Sequence, residues 1–305
     1  MSAWPAPPVL FSPSPYPLAQ SLTEEMDCEF GSLETRQFPD RETYLKIHTS
    51  VRGRICIVAI DMSHPNAKYL PLLFLTETLR ELGATSVGLV SPYLCYMRQD
   101  KRFTDGEAVT SRLFAKALSQ HIDWMVTVEP HLHRWSALDQ IYRVPSRVVQ
   151  GTSALAEWLS PRKRVLLVGL GLENEHWVAD VASKCGHPFV IGNRQRLGEG
   201  DERVTLPDLS RYHGSEFVII DHTISSGKTI LRCIETLLSR GIDNIHCVAI
   251  HGIFANSSDL ALKDAGLISL TTGNSIPHES NKIDIGPLLV PAILVCLQQS
   301  ARAQL

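Results

Sequence analysis

The stretch E-F-V-I-I-D-H-T-I-S-S-G-K-T, from Glu216 to Thr229, decides the fold of this chain. Its first six residues predict a buried strand that ends at Asp221, because a short apolar run rich in Val and Ile is typical of a strand covered on both faces. Small hydroxyl residues and Gly227 then predict a tight loop, and an amphipathic segment predicts a helix over 228–240. Strand, loop and helix in this order are the repeating unit of an α/β sheet.

The same loop is a candidate phosphate site. Backbone N–H groups at the start of a helix, with the hydroxyls of Ser225, Ser226 and Thr229 beside them, form a cradle suited to phosphate. The ending G-K-T resembles a Walker A loop, but that motif requires a glycine five residues before Gly227, where this chain has His222. A Walker A loop is therefore excluded. The alternative is an ordinary strand-to-helix turn in which a serine caps the helix.

A repeat further along the chain indicates a second domain. The dipeptide I-D with a lysine seven residues after the aspartate occurs at 220–228 and again at 60–68. The tripeptide E-T-L with a glycine six residues after its glutamate occurs at 235–241 and, 158 residues earlier, at 77–83. Both copies have the order strand, Asp loop, helix, Gly and strand. We therefore expect two tandem domains, 1–150 and 151–305, joined near 151–164, with the C-terminal helix free to pack on the first domain.

Apolar runs that alternate with amphipathic segments predict the elements of both domains. Strands are predicted over 54–60, 86–91, 124–128, 164–168, 216–221, 245–251 and 268–272. Helices are predicted over 69–82, 110–121, 175–184, 228–240 and 285–302. The predicted fold class is α/β, with a mainly parallel sheet flanked by helices in each domain.

Composition argues against several classes of function. With 29 basic and 32 acidic residues the net charge is −3, so neither nucleic acid nor an anionic membrane surface is an expected partner. The longest apolar stretch, 285–297, is 13 residues long, and a membrane span needs about 20. The N-terminus lacks a basic segment before an apolar run, and the seven cysteines include no C-x-x-C pair, so we expect a reducing cytoplasm.

Two loops of the first domain carry further candidates. Arg98, Lys101 and Arg102 lie close together in a loop that follows a predicted strand, an arrangement suited to a polyphosphate, with a solvated charge cluster as the alternative. The sequence E-P-H-L-H places His131 and His133 at another strand end, where α/β active sites usually lie. No further ligand set at suitable spacing supports zinc, so one magnesium-bound histidine, or none, is expected.

In combination, these segments resemble the ribose-phosphate pyrophosphokinase family over nearly the whole chain. The resemblance implies two tandem domains of the type I phosphoribosyltransferase fold. It implies transfer of the β,γ-diphosphoryl group of ATP to the C1 hydroxyl of ribose 5-phosphate, with Mg²⁺ as cofactor and AMP as the second product, for nucleotide biosynthesis. It also implies a homo-oligomer, a dimer or a hexamer, because Q-F-P-D-R-E at 37–42 resembles a family loop that contacts adenine in a neighbouring subunit.

The resemblance also assigns roles to individual residues. The ATP-binding candidates are Phe38, Asp40, Glu42, Arg98 and Gln99. His131 is the candidate magnesium ligand, and Arg194 and Arg196, in the segment 193–203 that matches the flexible catalytic loop of the family, are the catalytic candidates. The ribose 5-phosphate candidates are Asp221, Ser225, Ser226, Gly227, Lys228 and Thr229.

Four departures from the family pattern concern its chemistry. Arg194 stands where the family has a catalytic lysine, and Gly171 stands where it usually has an acidic residue that helps to hold magnesium and ribose. His222 and Lys228 replace an acidic residue and a glycine of the phosphate loop. Either of two nearby glutamates, at 173 and 175, is a candidate to supply the missing carboxylate.

The departures leave rival functions open. A catalytically weak paralogue that binds nucleotide or sugar phosphate as a regulatory subunit is the alternative to an active diphosphokinase. A phosphoribosyltransferase that consumes the diphosphate is less favoured, because such an enzyme does not need the ATP segments of the first domain.

Overall fold

A computed structural model describes residues 6–132, 134–198 and 201–303, without the side chains of 196–198 and 201. The chain forms two compact units, one made of residues 1–150 with 286–305 and the other of residues 151–285. The last segment therefore belongs to the first unit, whereas the predicted ranges placed it in the second domain and allowed its helix to pack on the first.

The secondary structure alternates along the chain. The strands are β1 (Val9–Phe11), β2 (Glu29–Phe30), β3 (Leu33–Gln37), β4 (Thr43–Ile47), β5 (Ile55–Ala59), β6 (Ser86–Val90), β7 (Trp124–Val128), β8 (Ser146–Val149), β9 (Val165–Leu170), β10 (Phe189–Gly198), β11 (Asp201–Thr205), β12 (Glu216–Ile224), β13 (Ile245–Gly252), β14 (Ser269–Gly273) and β15 (Asn281–Ile283). The α-helices are α1 (Pro17–Glu25), α2 (Tyr69–Glu81), α3 (Thr110–Leu118), α4 (Thr152–Leu159), α5 (Glu175–Cys185), α6 (Lys228–Leu238), α7 (Ser258–Asp264) and α8 (Gly286–Arg302).

The first unit is built on a six-stranded sheet in the order β2-β1-β5-β6-β7-β8, in which every pairing is parallel. Its central strands β5, β6 and β7 are buried along their whole length, which is why they are nearly uniform apolar runs. Leu72, Leu75 and Leu79 of α2 lie at the spacing of one helix face and pack into the core. Strands β3 and β4 form a separate antiparallel hairpin.

The second unit is built on a seven-stranded sheet in the order β11-β10-β9-β12-β13-β14-β15. All of its pairings are parallel except that of β10 with β11. Helix α6 buries Ile230, Ile234 and Leu237 in the core of this unit. The carboxyl ends of β9, β12 and β13 meet at one edge of the sheet, which is where the loops of an α/β site converge.

The predicted α/β fold is confirmed, and each predicted strand and helix is present with small shifts at its ends. The strand predicted over 216–221 continues to Ile224, because Thr223 and Ile224 still pair with His251 and Gly252 of β13. The segment expected to join the domains instead holds α4, whose buried Leu155 and Leu159 recur at helical spacing. None of the helices in the described part of the chain has the length and apolar character that a membrane span requires.

Candidate functional site

The phosphate-loop candidate follows β12 directly. Ser225 to Gly227 connect the strand to α6, which begins at Lys228. The N-cap residue is Gly227, at φ +67°, and no side chain caps the helix, so the alternative of a serine-capped turn is wrong. The Ser225 carbonyl accepts hydrogen bonds from the Ala255 N–H (3.0 Å) and the Ser258 hydroxyl (2.7 Å), which fix the loop against the carboxyl end of β13. These bonds fix the position of the loop, and the N–H groups of the first turn of α6, which follows it, therefore lie at the carboxyl edge of the sheet.

Gly227 meets two requirements of this loop. Its positive φ disfavours any residue with a side chain. A Cβ at this position would also lie 3.3 Å from Leu262 and 3.4 Å from Ser258, both on α7. The glycine thus allows α6 and α7 to approach each other where the loop turns.

Asp221 lies inside β12, three residues before its end, beside His222. Its carboxylate accepts the backbone N–H of His222 at 2.7 Å. Burial raises the pKa of Asp221 to about 6, while hydrogen bonds from the backbone of His222 and Thr223 lower it. The His222 ring packs against the Trp177 ring of α5 with centroids 4.0 Å apart and planes 33° apart. The histidine that departs from the family pattern is therefore held by an aromatic partner next to Asp221.

The catalytic candidate Arg194 lies on β10, at the same edge of the sheet. Its Nη2 donates to Oε1 of Glu173 at 3.0 Å. Arg194 and Glu173 also act on the charge of Asp221, the first lowering and the second raising its pKa, with burial as the largest cause of the shift. Arg194, Glu173 and Asp221 are thus close enough for their charges to interact.

The segment that the resemblance matches to a flexible loop is part of an antiparallel hairpin, made by β10 and β11. Arg194 pairs with Val204 across the hairpin, and Arg196 pairs with Glu202. The side chain of Arg196 lies outside the described residues. The hairpin contacts the phosphate-loop candidate, because the Thr229 hydroxyl donates to Glu202 at 2.6 Å. Both catalytic candidates therefore lie on a hairpin of the same unit that carries Asp221 and the phosphate loop.

Three of the ATP-binding candidates lie on the β3–β4 hairpin. Phe38, Asp40 and Glu42 are exposed at its tip, and Phe38 is 40% exposed. The Phe38 N–H donates to the Glu42 carbonyl at 2.8 Å, and the Glu42 N–H donates to Asp40 Oδ1 at 3.1 Å, so the tip is an ordered turn. The Arg36 guanidinium lies 4.7 Å from the centre of the Phe38 ring and 4.1 Å from that of Tyr44. An exposed aromatic ring with ordered surroundings is suited to stacking on a base.

The other two ATP-binding candidates, Arg98 and Gln99, lie in the loop after β6. Arg98 is exposed and Gln99 is partly buried. The neighbouring cations are used within the loop: Arg102 Nε donates to the Glu107 carbonyl at 2.9 Å, and Lys101 lies over the Phe103 ring. Arg98 and Arg102 are exposed, and Lys101 is half-buried.

The magnesium candidate His131 is exposed in the loop after β7. This loop meets the loop after β6, since Arg134 Nε lies 3.6 Å from the buried carboxylate of Asp100. The second histidine considered at sequence level, His133, lies outside the described residues. Among the residues that the structure describes, no group of three or more His, Cys, Asp and Glu side chains is arranged to hold a metal ion.

Two residues of the second unit were missed as parts of the site. Glu202 contacts Thr229, and Trp177 holds His222. For Glu202 a signal existed, because G-E-G-D at 198–201 is typical of a hairpin turn. Nothing in the sequence indicated a role for Trp177 in the site, because an apolar residue on a helix is most simply explained by packing.

Comparison with known proteins agrees with this architecture. A family model described as the N-terminal domain of ribose phosphate pyrophosphokinase matches residues 9–121, and a phosphoribosyl transferase domain model matches residues 137–285. A ribose-phosphate pyrophosphokinase of Sulfolobus acidocaldarius is 30% identical over 277 residues, which cover 87% of this chain and 92% of the relative. One of Methanopyrus kandleri is 28% identical over 280 residues, which cover 90% of this chain and 94% of the relative.

A solved structure shows the same fold. The crystal structure of phosphoribosylpyrophosphate synthetase from Mycobacterium smegmatis superposes with a TM-score of 0.81 at 22% identity, over 96% of this chain and 99% of that one. The match spans both units, and the relatives in sequence are matched over most of their length. The chain belongs to the ribose-phosphate pyrophosphokinase family.

Proposed function

We propose that this protein is a ribose-phosphate diphosphokinase, which transfers the β,γ-diphosphoryl group of ATP to the C1 hydroxyl of ribose 5-phosphate and releases AMP. The observation that carries the proposal is the edge of the second sheet, where a held phosphate loop, a partly buried aspartate and an arginine come together within one unit. Family membership supports the same reaction.

Each group at this edge has a task in that reaction. The backbone of Ser225 to Lys228, with the Thr229 hydroxyl, binds the 5-phosphate, and Asp221 accepts hydrogen bonds from ribose hydroxyls. Arg194 and Arg196 stabilise the negative charge on the diphosphoryl group as it is transferred. Phe38, Asp40, Glu42, Arg98 and Gln99 of the first unit bind ATP. This division of roles accounts for the presence of both units in one chain.

Magnesium is the proposed cofactor, and His131 is its proposed histidine ligand. Proteins usually hold this hard cation with few protein ligands together with substrate phosphates, so the phosphates of ATP are proposed to supply most of its oxygen ligands. When bound, the ion neutralises phosphate charge and orients the nucleotide.

Self-association and a cytoplasmic location are part of the proposal. The exposed tip formed by Phe38, Asp40 and Glu42 resembles a loop that serves a neighbouring subunit, and sedimentation at micromolar concentration with and without ATP tests this. All seven cysteines are free thiols, which suits a reducing compartment.

The decisive experiment is an assay of AMP release from ATP, Mg²⁺ and ribose 5-phosphate, with ATP and Mg²⁺ alone as the control. We expect AMP to form only when the sugar phosphate is present, together with a stoichiometric amount of the phosphoribosyl diphosphate. ATP binding without any ribose-dependent AMP would instead show a protein that binds nucleotide without turnover.

A further inference from the structure

The backbone at Gly171 explains why the usual acidic residue is missing there. Gly171 has φ +86° and ψ +135°, a conformation that residues with side chains rarely adopt. Its N–H donates to the Gly192 carbonyl at 2.9 Å, which continues the pairing of β9 with β10 beyond the end of β9. A carboxylate attached at 171 would therefore strain the backbone that aligns these two strands.

The carboxylate of Glu173 fills the space that a side chain at 171 would enter. Both of its oxygens lie 2.5 Å from the place where a Cβ of residue 171 would stand. The negative charge that the resemblance assigns to position 171 is thus present at nearly the same place, supplied from two residues further along the chain. The other nearby candidate, Glu175, is the first residue of α5, and none of its atoms is among the three nearest to that Cβ position.

The same carboxylate contacts the second departure from the family pattern, Arg194. The ion pair joins Arg194 Nη2 to Glu173 Oε1 at 3.0 Å, and the two side chains are 32% and 43% exposed. A pair this exposed contributes little to stability. The ion pair instead orients the guanidinium of Arg194. A guanidinium is planar and carries five N–H donors, so one bond to a carboxylate sets the direction in which the remaining N–H groups point.

The pairing of β9 with β10 ends next to both residues. The Gly171 N–H is bonded to the Gly192 carbonyl, Glu173 lies in the 3₁₀ turn Leu172–Asn174 that follows β9, and Arg194 lies two residues beyond Gly192 on β10. Asp221 lies on β12, the neighbour of β9 on its other side. Burial raises the pKa of Asp221, Arg194 lowers it and Glu173 raises it, so all three side chains are within electrostatic range of one another.

We propose that Glu173 is a positioning residue that holds the guanidinium of Arg194 at this edge of the sheet, so that the changes at 171 and 194 form one compensated set. The inference rests on the proposed function, in which Arg194 faces the transferred diphosphoryl group. It explains why this chain does not need a lysine at 194. The carboxylate is supplied by Glu173 in place of residue 171, and the longer, forked side chain of Arg194 reaches it there.

The kinetic test measures ribose-dependent AMP release by Glu173→Gln, with Glu175→Gln as the matched control, each in the native and the Arg194→Lys background. We expect Glu173→Gln to lower kcat about tenfold or more, since misplacing a catalytic group is costly, without raising the KM for ATP, because the change removes a negative charge near a polyanion. Glu175→Gln stays within about twofold of the native protein. In the Arg194→Lys background the Glu173→Gln effect shrinks to about twofold, because the two residues act as a unit. Equal losses in both backgrounds would overturn the inference.

A second measurement is independent of turnover. ¹⁵N NMR of the arginine side chains, with the Arg194 signals assigned by their loss in Arg194→Lys, is expected to show restricted rotation of the Arg194 guanidinium in the native protein and in Glu175→Gln, and free rotation in Glu173→Gln. Arg194 signals that Glu173→Gln leaves unchanged overturn the inference whatever the turnover. Signals that change only in Glu173→Gln, in a protein whose native form releases no ribose-dependent AMP, support the Glu173 contact and overturn the proposed function instead.

Discussion

The Thr229 hydroxyl donates a 2.6 Å hydrogen bond to Oε2 of Glu202, so a carboxylate of the β10–β11 hairpin occupies a donor of the proposed phosphate loop. A carboxylate and a phosphate compete for the same donor and repel each other. In the proposed function, the phosphate of ribose 5-phosphate therefore competes with Glu202 for the Thr229 hydroxyl, and Glu202 lies on the same hairpin as Arg194 and Arg196.

Glu202→Gln is predicted to bind ribose 5-phosphate more tightly. Removing about 1 kcal/mol of charge repulsion corresponds to about fivefold in the dissociation constant, measured by calorimetry without ATP. Glu235→Gln is the control, because Glu235 lies on α6 but pairs with Arg232 at 2.9 Å. Equal gains in both variants would mean that net charge, rather than the contact with Thr229, sets the affinity.

Asp221→Asn is predicted to stabilise the protein at neutral pH while weakening ribose 5-phosphate binding. The pKa of Asp221 rises from 3.8 to about 6 on folding, chiefly through burial. Below pH 3.8 the carboxyl is protonated in both states and carries no penalty, whereas above about 6 the folded state holds a charge that burial disfavours. Thermal melts should show a gain on the order of 2 kcal/mol at pH 7.5 that disappears near pH 3.5.

Asp208→Asn provides the opposite sign in the same unit. The Asp208 carboxylate accepts hydrogen bonds from the N–H and the hydroxyl of Ser210, which lower its pKa. Its stabilising effect is present at neutral pH and is lost as the pH falls through its folded pKa, so this variant should lose stability at pH 7.5. If Asp221→Asn also lost stability at pH 7.5, the raised pKa of Asp221 would be refuted.

Gly227→Ala is predicted to weaken ribose 5-phosphate binding and to lower the free energy of unfolding by about 1–2 kcal/mol, because a Cβ there is strained and crowds α7. Gly241→Ala is the matched control: Gly241 has φ +75°, and nothing lies within 4 Å of its Cβ position. The control should lose stability through the backbone alone and keep its affinity. Calorimetry and thermal melts on both variants separate the two effects.

Phe38→Ala is predicted to weaken ATP binding about tenfold, since stacking on a base contributes about 1–3 kcal/mol. Phe74→Ala, on α2, is the control, because the two rings are 40% and 43% exposed. Both variants should melt at similar temperatures, and only the first should lose affinity in ATP calorimetry. Equal ATP affinity in the two variants would remove Phe38 from the proposed site.

Much of the fold follows from local sequence patterns. The run Glu216 to Thr229 specifies strand, loop and helix, because burial on both faces demands a continuous apolar strand and a tight turn demands small residues and glycine. The same reasoning located β5, β6, β7, β9, β13 and β14. It missed mostly short elements, which become regular by pairing or packing on a neighbour: α1, α4, α7, β1, β2, β8, β15 and the two hairpins β3–β4 and β10–β11.

The contacts that organise the candidate site were decided by tertiary structure alone. Glu173 and Arg194 are 21 residues apart, and Glu202 and Thr229 are 27 apart. They meet because the sheet has the order β11-β10-β9-β12. The resemblance to the family showed that the acidic residue usual at position 171 is absent. It could not decide whether Glu173 or Glu175 replaces it, since these glutamates are only two and four residues further along the chain. The backbone after β9 makes that choice, because Gly171 turns the chain at a positive φ and the atoms nearest to its Cβ position are those of the Glu173 carboxylate.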